Sequence, residues 1–126
     1  MTNKKSSSHI SQRYDDELAA VKSQLFEMGG IVEKQVTDAI KALLEVDSEL
    51  AERVVDEDER INDMEVTIDE DCGLILARRQ PAAKDLRLVL TIIKSTTDLE
   101  RIGDEARKMA KQAITLAEEG KAPRGY

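Results

Sequence analysis

Two pairs of acids, Glu65 with Asp69 and Glu100 with Asp104, carry the residues most able to do chemistry in this chain. Each pair is an acid followed four positions later by an aspartate, so on a helix the two carboxylates stand one turn apart. Like charges at that spacing destabilise an isolated helix by roughly 0.2–0.5 kcal/mol per pair. On a solvated face such pairs mean little, so the face decides. On a wheel of about 100° per residue, Glu100 falls between Val89 and Ile93, and Asp104 coincides with Leu86. Glu65 and Asp69 flank the stripe Leu50, Val54, Ile61, Ile68 and Cys72, and Asp58 and Asn62 continue that flank. Acids aimed at the edge of a core need a compensating partner, either a cationic side chain or a metal ion.

The elements that must position these acids are helices. Of 126 residues, 36% are charged, two are Pro and one is Phe, which describes one helical domain with an aliphatic core. The formal net charge of −7 and the near absence of aromatics argue against nucleic-acid binding. One cysteine makes no internal disulfide, and one histidine makes no histidine-rich metal site. No apolar run approaches the roughly 20 residues of a membrane span, and no signal-peptide core is visible. The expectation is therefore a cytoplasmic protein with no direct membrane insertion.

Residues 1–9 read as a disordered polar tail, 10–120 as a three-helix bundle and 121–126 as a linker-like tail. Apolar steps of three and four from Tyr14 to Val46 predict a first helix over about 10–46. Gly29-Gly30 inside it is expected to face a close neighbour. Asp47-Ser48 ends that helix, with Ser48 able to cap the second, over about 48–79. Pro81 stops the second helix, and a third runs over about 83–119 with Gly120 at its end. Cys72 lies on the apolar stripe as packing. Short turns between long helices fold into an all-α, antiparallel up-down-up three-helix bundle. With the second turn centred near residue 82, Glu65 is level with about residue 99, which brings the acid pairs face to face.

Oxygen-only ligands favour a hard cation such as Mg2+, Mn2+, Ca2+ or ferric iron. The alternative is a salt-bridged seam using Arg101, Arg107 or Arg53. Neither Glu65 nor Glu100 has a histidine three residues on, so the di-iron oxygenase plan is absent. No Ser/His/Asp set, Gly-rich phosphate loop or cysteine pair exists either, and catalysis is not expected. Arg78, Arg79, Lys84 and Arg87 gather at the second turn, where they complement the helix dipole or contact an anion or acidic partner.

The stretches Met28-Gly29-Gly30, Asn62-x-Met64-Glu65 through Ile68-Asp69-x-x-Cys72, Arg79-Gln80-Pro81-x-x-x-Asp85-Leu86-Arg87 and Leu99-Glu100-Arg101-Ile102-Gly103-Asp104 carry a resemblance. Over roughly residues 9–120 the chain resembles one repeat of the PhoU family, accessory regulators of phosphate-specific ABC transport. That resemblance implies a non-enzymatic adaptor between the transporter's ATPase subunit and a sensor histidine kinase. Such an adaptor keeps the phosphate-starvation response off when phosphate is plentiful, and sits peripheral to the inner membrane through its partners. It also implies a metal ion or cluster (Mg, Mn, Zn or Fe) on Glu65, Asp69, Glu100 and Asp104; the helix register adds Asp58 to the same patch as a candidate further metal contact. Members carry two repeats and this chain has one, which implies either an N-terminal fragment or a natural single-repeat form, in both cases with an interface left open to self-association. The competing readings are a carboxylate-bridged metalloenzyme and a ligand-free structural module.

Overall fold

The computed structural model describes the backbone of residues 4–120 and the side chains of residues 11–120. Three helices and no strand occur among these residues: α1 (Lys4–Glu45), α2 (Ser48–Arg79) and α3 (Ala83–Glu118). All three pairs pack along their lengths as an up-down-up bundle, with α2 antiparallel to both neighbours. The expected disordered tail over 1–9 is corrected from residue 4 onward, because α1 already begins at Lys4. Adding residues to an existing helix needs no new nucleation, so a polar segment can extend it. The expected linker over 121–126 lies outside the described residues.

Each break has a local cause. At the first turn Val46 takes a left-handed φ of 51° and Asp47 an extended one of −94°. The Asp47 amide donates back to Ala42 O at 2.9 Å, closing the end of α1. Asp47, not Ser48, caps α2: its carboxylate accepts from Leu50 N at 3.0 Å, while Ser48 is already helical. Extended backbone is what a capping residue requires, and only Asp47 has it. At the second turn Gln80 leaves the helix in the left-handed region (φ 45°) ahead of Pro81. Gly120, with φ 68°, follows the last turn of α3, where a residue without Cβ is unstrained.

The apolar interior falls into two clusters. One, near the α2–α3 turn, joins Val21, Met28, Ile61, Ile68, Cys72, Ile75 and Ile92 with their neighbours. The other, near the α1–α2 turn, is built mainly from alanines: Ala39, Ala42, Ala51, Ala106, Ala110 and Ala113, with Leu50 and Val54. Between the clusters each helix contributes one residue that is not aliphatic: Gln35 on α1, Asp58 on α2 and Gly103 on α3, all buried. This polar layer lies under the expected acid site.

The Gly29-Gly30 expectation is met in its helical placement and corrected in its reason. A Cβ on Gly29 would come no nearer than 4.0 Å to Leu99, and one on Gly30 would meet nothing within 4 Å. The tight crossing is at Gly103, whose Cβ would stand 3.2 Å from Ile61 Cδ1 and 3.6 Å from Asp58 Oδ1.

Candidate functional site

The four acids divide into two groups. Glu65 and Glu100 are half-buried and close enough to repel one another, as the helix register predicts, while Asp69 is exposed. Burial pushes the Glu65 carboxyl above its ordinary range, and the charges of Glu100 and then Asp69 push it further. None of these three makes an ion pair among the described residues.

Asp104 is placed differently. Arg107, one turn on, grips it with Nη2 at 2.7 Å and Nε at 3.2 Å from Oδ1. Lys108 Nζ stands 3.4 Å from the other oxygen. The Arg107 hydrogen bond, with Lys108 behind it, holds the Asp104 carboxyl below its ordinary range. The same Arg107 Nε lies 3.4 Å from Asp58 Oδ2 on α2, so one guanidinium bridges two helices.

Asp58 is the most enclosed acid of the patch, its side chain 9% exposed. Burial raises its pKa, Arg107 opposes that shift and Asp104 adds to it. Its Oδ1 is buried with no hydrogen-bond partner and faces the missing Cβ of Gly103. Beneath it, with the amide turned to satisfy both neighbours, Gln35 donates to Val54 O at 3.0 Å and accepts from Asp58 N at 3.3 Å. Gln35, Asp58, Gly103 and Arg107 thus form one connected patch across all three helices.

Among the described residues no three acid, histidine or cysteine side chains converge closely enough to hold a metal ion. Asp58 has an orphaned oxygen, but the cation beside it and Asp104 is Arg107. In this arrangement the donor set fits a guanidinium rather than a metal.

At the second turn, Arg79 reaches Glu17 on α1 as a two-pronged pair, Nε and Nη2 each 3.0 Å from a carboxylate oxygen. That pair holds the Glu17 carboxyl low. Arg78, Lys84 and Arg87 are exposed and make no ion pair among the described residues. Tyr14 OH donates to Asp85 Oδ2 at 2.9 Å, and burial followed by that carboxylate pushes the phenol up to about 12. Burial pushes the Cys72 thiol up to about 11, as befits packing rather than nucleophilic work.

The helix register was legible in the sequence; the identity of the cation was narrowed only to three arginines. Gln35 and the crossing at Gly103 were missed. A glutamine interrupting the apolar steps of α1, and a glycine inside the Glu100…Asp104 pair, were the available signals.

A three-helix bundle carrying two acid-x-x-x-Asp pairs on facing helices defines a class of helical module. Residues 25–113 match the PhoU domain, and the chain belongs to the PhoU family. It is 61% identical, over its whole length, to half of a phosphate-specific transport system accessory protein PhoU homolog of Pseudomonas putida. Over 84% of its length it is 50% identical to the accessory protein PhoU of Escherichia coli K12, covering 44% of that protein. The crystal structure of PhoU from Pseudomonas aeruginosa superposes with a TM-score of 0.83 at 60% identity, over 90% of this chain and 54% of that one. The phosphate transport system regulatory protein PhoU of Streptococcus pneumoniae gives a TM-score of 0.77 at 34% identity, over 86% and 52% of the two chains. The chain thus spans about half the length of the relatives it matches.

Proposed function

We propose that this chain is a regulatory unit of phosphate uptake that works by binding proteins and not by catalysis. The observation that carries this reading is its 50–61% identity to accessory proteins of phosphate-specific transport systems. In its fuller form, the chain contributes to an adaptor between the ATPase subunit of a phosphate ABC transporter and a sensor histidine kinase. That adaptor acts at the cytoplasmic face of the inner membrane and restrains the starvation response. No helix among the described residues is long and apolar enough to cross a membrane, so membrane proximity would come through partners.

The surface supports a binding role. Phe26 is 79% exposed and Leu44 77%, on the outer side of α1, and Leu90 and Ile102 are exposed on α3. Phe26, Gly29, Gly30 and Leu99 line a groove of about 510 Å3 between these two helices. The groove, rather than the singly exposed residues, is the surface a partner helix or a second copy could cover.

The test is co-purification from phosphate-replete cells, with an alkaline phosphatase reporter of the starvation response in a strain lacking its own regulator. Retention of the transporter ATPase and the kinase, with the reporter repressed, is expected. Retention of neither, with the reporter still active, overturns the proposal.

A further inference from the structure

We infer that Arg107 is the resident counter-cation of the acid patch: its guanidinium holds the place between Asp58 and Asp104 that a divalent cation would otherwise take. A metal ion binds there only by displacing it. This goes beyond the regulatory reading and stands whether or not that reading holds.

Three observations converge. The guanidinium touches both acids at once, 2.7 and 3.2 Å from Asp104 and 3.4 Å from Asp58, and so ties α3 to α2. Lys108 approaches Asp104 and Glu105, from the outside, and makes no ion pair with Asp58 among the described residues. Asp58 is only 7% exposed, and its Oδ1 has no hydrogen-bond partner and lies 3.6 Å from where a Cβ on Gly103 would stand.

An inward carboxylate with an unused oxygen, beside a second carboxylate one helix away, is a hard-cation donor pair. Here a side chain already supplies the positive charge. Arginine suits the position because a planar fork reaches two carboxylates and stays charged at every working pH. Removing it leaves two acids without their common partner, and the patch then recruits a cation from solution.

The experiment titrates Mn2+ into the whole chain and reads free Mn2+ by its electron paramagnetic resonance signal, in native protein, Arg107→Met and Arg107→Met with Asp58→Asn. Arg107→Met is expected to bind Mn2+ at least about tenfold more tightly than the native chain, and Asp58→Asn is expected to remove that gain. Equal affinity in native and Arg107→Met protein, or a gain that survives Asp58→Asn, overturns the inference. Should Arg107→Met fail to fold, Arg107→Gln removes the charge and keeps a hydrogen-bonding end. It is expected to gain affinity in the same direction, and no gain there is equally fatal.

Discussion

Replacing Gly103 with alanine should have the opposite effect on stability from the same change at Gly30, although both glycines sit inside long helices. Alanine is favoured over glycine in a helix interior by about 1 kcal/mol. At Gly30 a new Cβ meets nothing within 4 Å, so that gain should appear in full. At Gly103 the Cβ would press to 3.2 Å from Ile61 Cδ1 and 3.6 Å from Ile61 Cγ2. Ile61 is fully buried, so it can yield only into the packed interior. Overpacking costs about 1–3 kcal/mol, which offsets or exceeds the propensity gain and leaves a net loss of about 0–2 kcal/mol. The methyl would also shadow Asp58 Oδ1, which already lacks a partner. Urea unfolding followed by dichroism at 222 nm measures both variants against the native chain. Gly103→Ala as stable as Gly30→Ala would refute the close contact of α3 with Ile61 of α2 at this layer.

Val46→Gly should stabilise the chain by about 0.5–1 kcal/mol, because a β-branched residue is strained at φ 51° and glycine is not; an unchanged urea midpoint would count against that strain. Glu65→Gln should raise the melting temperature at pH 7. The folded-state pKa of Glu65 lies above its ordinary 4.5, so its charged form costs stability at neutral pH. That cost disappears as pH falls through the raised value, and the two melting curves should converge near pH 4; a gain that persists there would mean the glutamine acts by packing. Arg79→Ala should melt below the native chain at low salt, with the difference narrowing at high salt, since it breaks the partly exposed pair with Glu17; a difference insensitive to salt would assign the effect to the lost arginine stem.

Much of this architecture is written in the sequence because it depends on local rules. Three-and-four spacing and Pro81 place α2 over Ser48–Arg79, matching the expected 48–79, and α3 ends one residue from the expected 119. The same spacing sets Glu65 opposite Glu100, since level positions on antiparallel helices follow from the turn between them. What could not be read is whatever depends on distance across the bundle. Arg53, Arg101 and Arg107 are equivalent by composition, and only the approach of α2 to α3 selects Arg107. Gly29-Gly30 and Gly103 look alike in sequence, yet only at Gly103 would a Cβ press on a side chain of the neighbouring helix. Asp47 and Ser48 are both good caps by type, and the backbone angle at the turn chose between them. The helical course of α1 before residue 10 had no apolar pattern to announce it.

A double-mutant cycle tests most directly whether an arginine balances the inward acids. Asp58→Asn, Arg107→Met and the combined variant are unfolded in urea at pH 7 with a chelator present, and the coupling energy is taken from the four stabilities. Close, largely buried charge pairs couple by about 0.5–3 kcal/mol, and the 9% exposure of the Asp58 side chain together with its 3.4 Å approach to Arg107 places this pair in that group. A coupling of at least about 1 kcal/mol is the predicted result. Effects that simply add would contradict the account, because Asp58 and Arg107 would then be independent of one another.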